Sequence, residues 1–146
     1  MADLKSNAEA IWTGELKTGT GKTSGKSGAF MNVEYTFATR FEGQEGSNPE
    51  ELIAAAHAAC FSMQLSGVLG KGGHSPESIH TDATITLSLG EGGPRVSRIH
   101  LKTEAGVPGI DDATLQEAAE TAKKICPISK LLTPGLDEIT MEATLV

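Results

Sequence analysis

The chain has 146 residues, 38% hydrophobic and 21% charged, the size and composition of one domain (residues 1–146) with a real core. A formal net charge of −7 argues against nucleic acid or an anionic membrane as its partner. Met1 to Glu15 carries no basic-plus-apolar leader and no uninterrupted apolar run nears membrane-spanning length. The expected setting is cytoplasmic, where two cysteines more readily serve as reduced or catalytic thiols than as a structural staple.

Residues 9–17 and 29–41 read as strands, the second alternating Val33, Tyr35 and Phe37 against Glu34, Thr36 and Ala38. Between them, TGTGKTSGKSG resembles a phosphate loop only superficially. Gly25-Lys26-Ser27 needs a glycine five positions earlier, and Gly21 and Gly19 miss that place on either side. The tract is expected to be a flexible, solvated hairpin connection.

A helix is predicted from Pro49. Asn48 can cap it, Pro49 has no N–H to leave unsatisfied, and Glu50 and Glu51 suit the positive end of the helix dipole. From Leu52 to Leu69 it is apolar nearly all round, the pattern of a buried helix, and its alanines allow other backbones to approach closely. Gly70 and the residues after it end the helix. Two alternating strands follow, centred on Ala83–Leu89 and Arg98–Lys102, and they form a hairpin. A second helix is capped by Asp111 or Asp112, shows Leu115, Ala118, Ala119, Ala122 and Ile125 on one stripe, and ends near Cys126 because Pro127 follows. Residues 139–145 close the chain as a strand. The order describes a single α+β domain with a long buried central helix.

Four side chains invite a chemical reading. Cys60 lies mid-helix, where a thiol can simply pack as a small hydrophobe. Cys126 sits at a helix end beside a proline, where a side chain can move. The cysteines are too far apart for a CxxC redox motif or a zinc knuckle, and four scattered histidines complete no metal site. Arg40 and Glu50 are either a surface ion pair or a device in which the guanidinium lowers a thiol pKa and the carboxylate orients it. His57, one turn before Cys60, is either the base of a thiol hydrolase or a satisfied core histidine.

Five runs in fixed order carry a family resemblance: Thr39–Gly43, Ser47–Leu52, Ala55–Ser62, Val107–Ile110 and Cys126–Ser129. Together they resemble the OsmC/Ohr family of peroxide-reducing proteins, more the osmotically induced OsmC branch than the organic-hydroperoxide-resistance branch. The resemblance implies an intertwined homodimer with active sites at the interface. It implies Cys60 as peroxidatic cysteine, Cys126 as resolving cysteine, Arg40 as thiolate activator and Glu50 as the residue orienting Arg40. It gives His57 no acid–base role. The implied reaction reduces an organic hydroperoxide, and hydrogen peroxide less well, through a Cys60 sulfenic acid and a Cys60–Cys126 disulfide. A lipoyl-type or small dithiol would restore the thiols, with no metal or other cofactor. Two competing readings are a Cys60/His57 hydrolase and a non-enzymatic dimer that senses redox state or binds small molecules.

Overall fold

The computed structural model describes residues 2–146. It forms two compact units, 1–52 and 53–146, with the boundary inside one helix.

The first unit holds a three-stranded antiparallel sheet in the order β1 (Ala8–Thr13), β2 (Thr20–Gly25), β3 (Val33–Thr36). The glycine-rich tract expected to be a solvated connection is therefore largely the middle strand. Its glycines make room for aromatic rings: a Cβ on Gly21 would lie 2.2 Å from Cζ of Tyr35, and one on Gly25 2.7 Å from Cε1 of Phe30. Tyr35 in turn packs on Trp12, with ring centroids 5.7 Å apart. Glycine thus marks close approach within a strand, a use that composition alone does not distinguish from a turn.

The second predicted strand is also shorter than expected. After Thr36 the chain enters a short helix, α1 (Phe37–Phe41), through a capping box in which Thr36 and Thr39 each accept the other's amide. Arg40 consequently lies in the last turn of a helix, not at the end of a strand.

Helix α2 (Pro49–Lys71) begins as its sequence requires, with the Glu51 amide donating to Asn48 Oδ1 at 2.8 Å. At 23 residues it is long and apolar enough, by length and composition alone, to cross a membrane, although polar residues interrupt its apolar runs as the sequence indicates. The core helix of a globular protein meets the same criterion, and α2 has that role in the second unit. Within this unit a narrow stripe is fully buried: His57, Phe61, Leu65 and Leu69, at intervals of four residues. Ala55, Ala56, Ala59 and Met63 remain exposed, so one chain does not bury the helix all round.

The stripe packs on a sheet of β4 (Ser78–Gly90), β5 (Gly93–Gly106) and β6 (Glu138–Leu145) in that order. β4 and β5 form the expected antiparallel hairpin, with a bulge between Thr86 and Leu87, and β6 joins β5 in parallel. On β5, Ser97, Ile99, Leu101, Thr103 and Ala105 point inward, while Arg98, Lys102 and Glu104 face solvent. The parallel connection is made by helices, as crossovers usually are. Helix α3 (Asp112–Ile125) is capped by Asp111 and contributes Leu115, Ala118, Ala119 and Ala122 to the core, as its stripe predicts. The short α4 (Pro127–Leu132) and a 3-10 turn (Thr133–Gly135) then lead to β6.

Candidate functional site

The four predicted residues form two pairs, one in each unit. In the first unit α1 and the start of α2 are tied together by the Asn48 side chain, whose amide donates to the Thr39 carbonyl at 3.4 Å. This brings Arg40 to Glu50. Arg40 Nη2 donates to Glu50 Oε1 at 2.8 Å, and Nε contacts both carboxylate oxygens at 3.2 Å. The carboxylate is nearly buried, whereas the Arg40 side chain is 37% exposed and lies over the Phe41 ring at 5.0 Å. A fork donating along one carboxylate fixes the plane of the guanidinium while leaving its Nη1 edge open to another acceptor.

In the second unit Cys60 of α2 meets Cys126 at the start of α4, Sγ to Sγ, at 3.1 Å. Both are free thiols. The local reason for Cys126 is Pro127: it opens α4 at the position where a missing N–H costs nothing, so Cys126 becomes the cap and its sulfur accepts the Ser129 amide at 3.5 Å. The pair is asymmetric. Burial pushes the Cys60 thiol up, and Cys126 adds to that, against a smaller opposing effect of the Ile128 amide. Burial also acts to raise Cys126, but hydrogen bonds from the Ser129 amide, Cys60, the Ser129 hydroxyl and the Ile128 amide outweigh it and hold this thiol below its ordinary value. Ionising Cys60 therefore calls for a cation.

His57 is fully buried, and its Nε2 lies 2.7 Å from Ser129 Oγ, while its Nδ1 has no hydrogen-bond partner among the described residues. Burial holds its pKa below the ordinary value of 6.5, so it is a neutral core imidazole. Neither nitrogen is hydrogen-bonded to a sulfur, which removes the geometry a Cys60/His57 hydrolase requires. Ser129 is the site residue that sequence reasoning missed. Its only local signal is the position three residues beyond a capping cysteine, and its contact with His57 spans 72 residues. Among the described residues, no group of three or more His, Cys, Asp or Glu side chains is placed to hold a metal ion.

The geometry agrees with what comparison finds. A family described as OsmC-like protein matches residues 42–140. Peroxiredoxin OsmC of Escherichia coli is 45% identical over 139 residues, covering 95% of each chain. The organic hydroperoxide resistance protein of Xanthomonas axonopodis is 31% identical over 96 residues, covering 65% of this chain and 66% of its own. A crystal structure of an organic hydroperoxide resistance protein OsmC from Legionella pneumophila shares the fold, with a TM-score of 0.74 over the whole of both chains at 20% identity. The paired thiols, the ordered motifs and these likenesses place the chain in the OsmC-like protein family.

Proposed function

We propose that this thiol-dependent peroxidase of stress defence works through Cys60 and Cys126. The observation that supports the reading best is the 3.1 Å contact between two free thiols from different helices. The Cys60 thiolate attacks the O–O bond of a hydroperoxide, forming sulfenic acid and releasing an alkoxide that leaves as the alcohol. The Cys126 thiolate then attacks the sulfenic sulfur, expelling hydroxide and closing the disulfide. A dithiol, lipoyl-type or small, reduces that disulfide and is itself oxidised to a disulfide. Sulfur carries both electrons throughout, so the cycle requires no metal or organic cofactor.

Arg40 supplies the charge that Cys60 needs, and Glu50 orients it. The two units work as one domain, and the protein is a cytoplasmic homodimer in which the exposed Ala55, Ala59 and Met63 face of α2 is covered by a second copy. The apolar sequence of α2 on either side of Cys60 favours organic hydroperoxides over hydrogen peroxide. Steady-state turnover of cumene hydroperoxide and hydrogen peroxide with a dithiol reductant tests the reading. The higher kcat/KM should belong to cumene hydroperoxide, and both activities should vanish in Cys60→Ser. Equal activity in Cys60→Ser would refute the assignment.

A further inference from the structure

Two contacts run in parallel between α2 and α4. Cys60 meets Cys126, and three residues earlier on α2 His57 meets Ser129, three residues later on α4. His57, Cys126 and Ser129 are all buried. We propose that Ser129, oriented by His57, is a positioning residue that prepares Cys126 to attack the Cys60 sulfenic acid.

The proton positions follow from the unpartnered Nδ1. If Ser129 donated its hydroxyl proton to Nε2, then Nδ1 would carry the ring's N–H, a buried donor with no acceptor. Such orphaned donors are rare, whereas an unpaired lone pair is tolerated better. With the proton on Nε2, His57 donates to Ser129 Oγ and leaves the hydroxyl proton free for another acceptor, while the Ser129 amide donates to the Cys126 sulfur at 3.5 Å. The hydroxyl is among the groups that lower the Cys126 thiol. His57 thus acts through Ser129 and touches neither sulfur, which gives a buried polar residue on the core face of α2 a purpose in the reaction.

The step balances simply. The Cys126 thiolate gives its electron pair to the Cys60 sulfenic sulfur, the S–S bond forms, the S–O bond breaks, and hydroxide departs to become water. The oxidant is the hydroperoxide of the proposed cycle, and the inference rests on that cycle for its catalytic meaning.

The test separates the two. In a Cys60→Ser background, iodoacetamide alkylation of Cys126 against pH reports its ionisation without any peroxide. Ser129→Ala should shift the profile upward by about one to two pH units, the scale of a hydrogen bond to a charged group. His57→Leu should shift it in the same direction, and the double variant no further than Ser129→Ala alone, because the two act in series. Ser129→Thr, which keeps the hydroxyl, should restore the parent profile. With Cys60 present, the dimedone-trappable sulfenic acid should persist about three- to tenfold longer in Ser129→Ala, the lost thiolate fraction being partly offset by the greater nucleophilicity of a more basic thiolate. An unchanged alkylation profile and sulfenic-acid lifetime in Ser129→Ala would overturn the proposal. Alkylation shifts as expected in a parent chain that forms no sulfenic acid would leave Ser129's control of Cys126 standing and overturn the peroxidase cycle instead.

Discussion

The sulfurs of Cys60 and Cys126 stand 3.1 Å apart although 66 residues separate them in the chain. That is about 1 Å beyond a covalent S–S bond of about 2.05 Å, so disulfide formation needs little rearrangement. The fold brings this about with a buried stripe on one helix and a proline-opened turn of another. The pair is asymmetric: hydrogen bonds hold the Cys126 thiol below its ordinary value while burial pushes the Cys60 thiol up, so the proposed attack by Cys60 depends on a cation to favour its thiolate.

That dependence gives the first prediction. Arg40→Ala should lower the rate of reaction with organic hydroperoxide by about 100-fold, the usual size for losing one preorganised charge-stabilising donor. Glu50→Gln, which loosens the fork without removing the cation, should cost less. Stopped-flow peroxide consumption measures both, with circular dichroism checking the fold. Unchanged rates in Arg40→Ala would remove the activation scheme.

Gly21 tests the account of the first sheet. A methyl group there would meet the Tyr35 ring at 2.2 Å, and Gly21→Ala should destabilise the protein by about 1–3 kcal/mol, as overpacking does. Chemical denaturation reads the change. A stability equal to the parent's would mean that the strand is not held by ring-over-glycine packing.

His57 predicts a pH effect on stability. Its folded pKa lies below 6.5, so the unfolded chain binds the proton more readily than the folded one. The neutral histidine's contribution is complete above pH 6.5 and is lost as pH falls from there through the folded pKa. Replacing His57 by Leu should flatten this part of the stability profile. Denaturation midpoints between pH 7.5 and 5 measure it, and an equally steep loss in the variant would assign the effect elsewhere.

The exposed face of α2 predicts assembly. Sedimentation should give twice the chain mass of 15.2 kDa, and Met63→Glu, which puts a charge on a side chain 75% exposed in one chain, should shift the protein toward monomer. A parent chain sedimenting as a monomer would contradict the dimer.

Much of this was legible in the sequence where a residue's role is local. Asn48-Pro49, Asp111 and the alternation on β4 and β5 define their elements with near neighbours alone. The glycine tract of β2 was not legible, because Trp12, Phe30 and Tyr35, the rings that make it a strand, lie outside it. α1 was hidden by a strand-like alternation running through Phe37, and its threonine capping box was the overlooked sign. α4 had a sign too, Pro127 at its first position. Within the candidate site, family motifs pointed to Cys60, Cys126, Arg40 and Glu50. Ser129 became visible only when tertiary packing set it against His57.

The most direct test of the cycle is the intact mass of the reduced protein before and after one equivalent of an organic hydroperoxide, followed by peptide mapping. The account predicts rapid loss of two hydrogens, mapped to a Cys60–Cys126 link and absent in Cys60→Ser. A chain that stays reduced for minutes would contradict it and return Cys60 to a packing role.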